Sequence, residues 1–173
     1  MVAVYIGVGS NIDPEENIPR ALRLLATEVP ITAVSTFFRT IPFDRPEQSS
    51  FYNGVVRITT DIPPAELKDR ILRAIETRLG RKRTADRSSA RTIDLDILLY
   101  GDRVITGDGL NVPDPLIIQR SFLAVPLLEL ASDLVLPDSG RTLDEVVRAM
   151  PAGDLTPLED FSRALKKEVL HEP

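Results

Sequence analysis

Two aspartates, Asp94 and Asp96, stand inside the apolar run RTIDLDILLYG at residues 91–101. Period-2 alternation predicts a strand with Ile93, Leu95, Ile97 and Leu99 on one face. Both carboxylates then lie on the other face, about 7 Å apart. Asp is depleted in strands, and like charges at this spacing repel each other. A cation between them relieves the conflict, and two hard oxygen donors in a rigid frame suit Mg²⁺ when a substrate phosphate completes its coordination. The plainer alternative is a solvent-facing edge strand on which both acids are ordinary surface charges; this segment alone leaves both readings open.

Positive charge gathers just before these aspartates. Arg78, Arg81, Lys82, Arg83, Arg87 and Arg91 share residues 78–91 with Asp86 as the one acid, in a chain of net charge −5. The stretch after Gly80 has no apolar periodicity and reads as a loop. Most such runs are simply solvated. Beside two aspartates, however, arginine forks match phosphate oxygens, and the combination suggests Mg²⁺ with a nucleoside triphosphate. The glycine-rich phosphate loops and the kinase catalytic loop are absent from the sequence. A second cluster, Phe51-Tyr52-Asn53, places a ring and an amide on one face by parity, able to stack a flat heterocycle and read its edge. Val112-Pro113-Asp114-Pro115 with Arg120 and Phe122 adds a further arginine and ring.

Composition narrows the chemistry. The chain of 173 residues has no cysteine, which removes thiol chemistry and thiolate metal sites, and its one histidine, His171, makes an imidazole metal centre or a Ser-His-Asp triad untenable. Any metal is held by oxygen. The acidic balance argues against nucleic acid as a partner. No apolar run of membrane-spanning length and no leader-like N-terminus are visible. The expectation is a cytoplasmic protein, off the membrane, acting as a monomer on small molecules.

The elements that must position these residues follow from pattern. A first strand runs from Val2 to Val8, with Gly7 and Gly9 on its less bulky face. Asp13, Pro14 and Glu16 predict a capping box opening a helix with Ile18, Ala21, Leu22, Leu25 and Val29 on its apolar stripe. Residues 31–39 read as a second strand and 52–60 as a third. Pro63-Pro64 opens a helix carrying Leu67, Ile71, Leu72, Ile75 and Leu79, which Gly80 stops. With the Asp-bearing strand, the order strand-helix-strand-strand-helix-strand predicts an α+β fold: a ferredoxin-like βαββαβ core, an antiparallel sheet with helices packed on one face. Beyond it come a short hairpin over 103–112, a helix from Pro126 to Ala131, and another capped by Thr142 and Glu145. One domain over 1–150 is expected, followed by a tail over 151–173. In that tail Phe161, Leu165 and Val169 fit either a docked amphipathic helix or a frayed terminus.

Taken in order, YIGVGSN at 5–11, Phe38-Arg39-Thr40, Phe51-Tyr52-Asn53, the RTIDLDI strand, Val112-Pro113-Asp114-Pro115, Arg120 and Phe122 resemble the 6-hydroxymethyl-7,8-dihydropterin pyrophosphokinase family over about residues 1–150. The resemblance implies a ferredoxin-like core and transfer of pyrophosphate from MgATP to the pterin hydroxymethyl group, with attack at the β-phosphorus and departure of AMP. It assigns Asp94 and Asp96 to two Mg²⁺ ions and Arg81, Arg83 and Arg91 to a phosphate clamp. Glu76, Ile97, Asp114 and Arg120 fall on the nucleotide side. Phe51 and Phe122 would sandwich the pterin, Asn53 would bond its polar edge, and Thr40, Pro42 and Phe43 would line its pocket. No single general base is implied. Two departures stand out: Asp114 replaces a histidine usual in the family, and Ser88-Ser89-Ala90 replaces Trp-Gly-Pro. They leave a second reading, a pterin- and nucleotide-binding paralogue without catalysis, and a third, another Mg²⁺-dependent nucleotide or nucleic-acid enzyme.

Overall fold

Alternation sets the first strand, β1 (Val2–Ser10), whose Val4, Ile6 and Val8 are buried on one face. In this computed structural model, residues 1–42, 44–151 and 153–170 are described. Helix α1 (Pro14–Glu28) answers β1 with buried Ile18, Ala21, Leu22 and Leu25. Asp13 does precede the helix, but with φ +43° its backbone is left-handed and its side chain makes no cap; the expected capping box is absent. Instead the backbone carbonyl of Asp13 accepts from Glu16 and Asn17, and the Asn17 side chain donates to the Ile12 carbonyl at 2.7 Å.

The expected second strand is divided into β2 (Ile31–Val34) and β3 (Phe38–Thr40), both paired with β4 (Phe51–Thr60). Phe37 causes the break. Its fully buried ring turns into the core, its N–H donates to Ser162 Oγ at 2.8 Å, and its carbonyl accepts from Leu158. The next helix is continuous but changes winding, from α2 (Pro64–Glu66) through a π-helical turn (Leu67–Leu72) to α3 (Arg73–Arg78). Its stripe of Leu67, Ile71, Leu72 and Ile75 is buried, and Gly80, with φ +80°, ends it as the sequence predicts.

β5 (Asp94–Tyr100) completes the core at the sheet edge. All pairings are antiparallel, in the order β5-β1-β4 and then β2 or β3, the ferredoxin-like arrangement when those two count as one interrupted strand. A β-bulge interrupts β1·β5: Tyr5 faces Leu99 and Ile6 faces Ile97, so Leu98 is the extra residue. Leu95 and Ile97 join one core cluster, whereas Leu98 and Leu99 both join the other. The bulge thus corrects the expected single face for Leu99.

The two core helices share one face of the sheet, as expected, and the later helices cover the other. α1 and the α2–α3 helix lie on one; α4 (Ser121–Leu130) and α5 (Leu143–Ala149) pack on the other against Val55, Leu98 and Leu99. α4 begins five residues before Pro126, where the sequence expectation placed it, because Leu123, Ala124 and Leu127 gain burial in the second core cluster. α5 has the expected capping box of Thr142 and Glu145. The hairpin over 103–112 reduces to one bridge, Ile105 with Val112, around three left-handed residues, Gly107, Asp108 and Gly109. Finally β6 (Thr156–Pro157) pairs with β3, and α6 (Glu159–Leu170) buries Leu165 and Val169 against the first cluster, so the tail is a docked helix. Among the described residues no helix is long and apolar enough to cross a membrane.

Candidate active site

Register brings the chemistry together. On the face toward α4, Gly9 pairs with Asn53 of β4 on one side and Asp94 of β5 on the other, and Gly7 pairs with Val55 and Asp96. Glycine keeps these rows open: a Cβ at Gly9 would lie 2.6 Å from Asn53 Oδ1. The Asn53 amide is fixed by its Nδ2 donating to Thr40 Oγ1 at 2.8 Å, with both residues buried.

β5 is an edge strand, and its outward backbone groups need partners. Leu95 N–H donates to Glu76 Oε1 at 2.9 Å, and the carbonyl of the bulged Leu98 accepts from Asp114 N–H at 2.9 Å. The free edge therefore anchors two more acids beside Asp94 and Asp96. Burial raises the Glu76 pKa, against the Leu95 N–H and the Arg81 charge, which lower it. Asp114 is raised likewise by burial and by Asp94, while one of its oxygens caps the 3-10 turn Pro115–Ile118 by accepting from Leu116 N–H at 2.9 Å. Asp96 is pushed up to about 8, first by dehydration against the cleft wall and then by Asp94, Asp114 and Glu76, with Arg81 opposing. Its side chain still opens to solvent in the cleft, so water offsets part of that dehydration and the neighbouring carboxylates are the firmer cause.

The basic loop is pinned rather than free. Arg81 bridges Glu76 at 2.6 Å and Asp94 at 2.7 Å, Arg83 pairs with Glu76 at 2.7 Å, and Arg91 pairs with the second oxygen of Asp94. Asn11 fastens this loop to β1, its Oδ1 accepting from Arg91 N–H at 2.7 Å and its Nδ2 reaching Gln48 and Ser49 across the cleft. Arg45 pairs with Asp86 at 2.7 Å, and Ser88 Oγ donates to Asp44 at 3.0 Å, joining the two loops over the site.

Two clefts result. Thr40, Pro42, Phe51, Asn53, Phe122 and Arg120 line the first, with Arg91 at its basic side. Glu76, Arg81, Arg83 and Ile97 line the second. Asp94, Asp96 and Asp114 belong to both. Every site residue that the resemblance assigns thus lies on one cleft or the other, except Phe43, which falls outside the described residues, whereas Arg78 and Lys82 of the basic cluster and Tyr52 line neither. Sequence reading missed the bridging loop pairs Asp44–Ser88 and Arg45–Asp86, and also Lys68 and Arg73 on the second cleft. In sequence these are ordinary polar and charged surface residues, and topology alone marks their pairing or their place on the cleft. Among the described residues no group of three or more His, Cys, Asp or Glu is placed to hold a metal unaided.

A row of carboxylates between an arginine-walled cleft and a ring-lined cleft defines an enzyme of phosphate chemistry acting on two substrates. Comparison with known proteins makes the class specific: residues 5–132 match 7,8-dihydro-6-hydroxymethylpterin-pyrophosphokinase (HPPK), and the chain belongs to that family. It is 38% identical to the 2-amino-4-hydroxy-6-hydroxymethyldihydropteridine pyrophosphokinase of Haemophilus influenzae, over 86% of this chain and 92% of that one. The Pseudomonas aeruginosa protein of the same name is 40% identical over 86% and 91%. The HPPK-DHPS structure of Plasmodium falciparum superposes with a TM-score of 0.62 at 12% identity, covering 86% of this chain and 43% of that one, a likeness of fold.

Proposed function

We propose that this chain transfers pyrophosphate from ATP to the hydroxymethyl group of 6-hydroxymethyl-7,8-dihydropterin, releasing AMP, in folate biosynthesis. The observation that carries the reading is the carboxylate row shared by two chemically different clefts. The pterin lies in the first, between Phe51 and Phe122, with its polar edge toward Asn53 and with Thr40 and Pro42 at its margin. ATP lies in the second, beside Glu76 and Ile97, with its phosphates directed toward Arg81, Arg83, Arg91 and Arg120. Residues 1–150 form the catalytic unit and 151–173 the tail, of which α6 braces it. The protein works as a cytoplasmic monomer.

The donor set fits Mg²⁺. Asp96 presents an open carboxylate to the cleft, and Asp94 sits two residues away with its charge shared by Arg81 and Arg91. Two carboxylates without a third ligand suit an ion whose remaining positions are taken by phosphate and water. Asp94 and Asp96 would hold two such ions. Bound there, Mg²⁺ would supply charge neutralisation on the phosphate oxygens.

The chain's own contribution is positioning and electrostatics. The pterin hydroxyl oxygen forms a bond to the β-phosphorus, the bond from that phosphorus to the oxygen bridging it to the α-phosphorus breaks, AMP departs, and the hydroxyl proton passes to water. Arg81 and Arg91 are fixed by Asp94 and Glu76 before substrate arrives, so they stabilise developing charge without reorganising. Asp114 commits one oxygen to Leu116, which turns part of its charge away from the phosphates.

The test is a nucleotide product assay with ATP, Mg²⁺ and the dihydropterin. Stoichiometric, pterin-dependent AMP is expected; ADP, or pterin binding without turnover, would overturn the reading. Arg91→Ala should lower kcat by ~2–4 kcal/mol of transition-state stabilisation, the scale for one preorganised donor.

A further inference from the structure

Four cations line the second cleft: Lys68, Arg73, Arg81 and Arg83. Three are paired with carboxylates, Arg73 with Asp69 at 2.7 Å and Arg81 and Arg83 with Glu76. Lys68 differs. Its ammonium donates to the carbonyl of Gly109, a neutral acceptor, and no carboxylate pairs with it among the described residues. The position is built from both sides. Lys68 rides on the π-helical turn, whose Leu67, Ile71 and Leu72 are buried, and π-turns concentrate at functional sites. Opposite, Gly109 adopts φ +73°, a backbone conformation that favours glycine, and this turn brings its carbonyl to the Lys68 ammonium. Lys68 and Gly109 line the second cleft alone, outside the stretch of Asp94, Asp96 and Asp114 that both clefts share.

We infer that Lys68 is a nucleotide-binding residue whose ammonium takes the α-phosphate of the AMP half of ATP. The assignment rests on the proposed placement of ATP in the second cleft. The transferred β- and γ-phosphates belong at the shared aspartates, because the pterin must reach the β-phosphorus there. The part of the nucleotide that extends away from that junction, and later departs, is AMP. The ammonium, held by a neutral carbonyl and by no carboxylate among the described residues, is the available charge on that side, and it exchanges that carbonyl for an anion as the nucleotide enters.

Isothermal titration of ATP and of AMP onto the wild type, Lys68→Met and Lys68→Arg tests this. Lys68→Met should weaken both nucleotides by the same factor, about tenfold, the scale of one hydrogen bond to a charged group. Lys68→Arg should restore most of the affinity, and dihydropterin affinity should stay at its wild-type value in both. Lys68→Gln, which keeps a donor but no charge, should follow Met. It also replaces Met should that variant fail to fold. Unchanged ATP and AMP affinities in the Met and Gln variants would overturn the role of Lys68 while leaving the ATP site standing. Weakening of ATP alone would move the contact to the transferred phosphates and overturn the α-phosphate assignment. Absence of ATP binding by the wild type would overturn the placement of ATP and this inference with it.

Discussion

Asp96 carries the main conflict at the scale of single residues. Its pKa, pushed up to about 8 in the folded protein, exceeds the ordinary value of 3.8 that it regains on unfolding. The folded state then binds more protons than the unfolded state between these values, so stability is fully present at low pH and is lost as pH rises toward 8. Thermal melts of the metal-free protein should show this decline, and added Mg²⁺ should flatten it. Asp96→Asn should abolish turnover yet raise the melting temperature at pH 8 without metal; a lower melting temperature would sink the repulsion argument. Asp114→His should tighten ATP binding, since it replaces a raised carboxyl beside Asp94 with a group able to carry positive charge. The aspartate pair was legible in the sequence because two acids in an apolar strand contradict local preference. Glu76 and Asn11 were legible only through resemblance. Their work is done by hydrogen bonds to Leu95 and Arg91, partners 19 and 80 residues away, and no local pattern records such contacts.

Elements decide how those side chains meet. Alternation and caps gave the order of strands and helices, and hence the antiparallel sheet. They could not reveal that Phe37 would leave its strand for the core, because a Phe in a β-rich run suits either place. Nor could they distinguish π from α winding between Leu67 and Leu72, since both bury the same stripe. Gly9 is where strand and site meet most tightly. Gly9→Ala would drive a methyl to 2.6 Å from Asn53 Oδ1, itself held by Thr40. The expected outcome is a loss of about 1–3 kcal/mol in stability, the range for overpacking, together with weaker dihydropterin binding. Urea denaturation and pterin titration measure the two effects, and unaltered pterin affinity would show that the Asn53 amide is not held for the ring.

The whole molecule encloses the site partly by means of its last segment. β6 pairs with β3, which carries Thr40, and α6 seats Phe161 edge-on to Phe37 at 5.8 Å and to Tyr52 at 5.4 Å. Leu165, 2% exposed, sits in the main core, so Leu165→Ala should cost about 2–5 kcal/mol in chemical denaturation. A cost within 0.5 kcal/mol, as at a surface position, would mean that the helix is dispensable. The four-residue spacing of Phe161, Leu165 and Val169 showed that a helix could form there, but docking depended on an exposed sheet edge assembled from residues 31–40. The bulge at Leu98 has a wider consequence. Its displaced carbonyl is what receives Asp114, so the third acid is set by the length of β5 as well as by its own codon. A one-residue deletion at Leu98 would straighten the strand, leave Asp94 and Asp96 on their face, and release Asp114 from its seat. Insertions and deletions, as well as substitutions, are therefore changes by which this scaffold can retune which acids face its substrates.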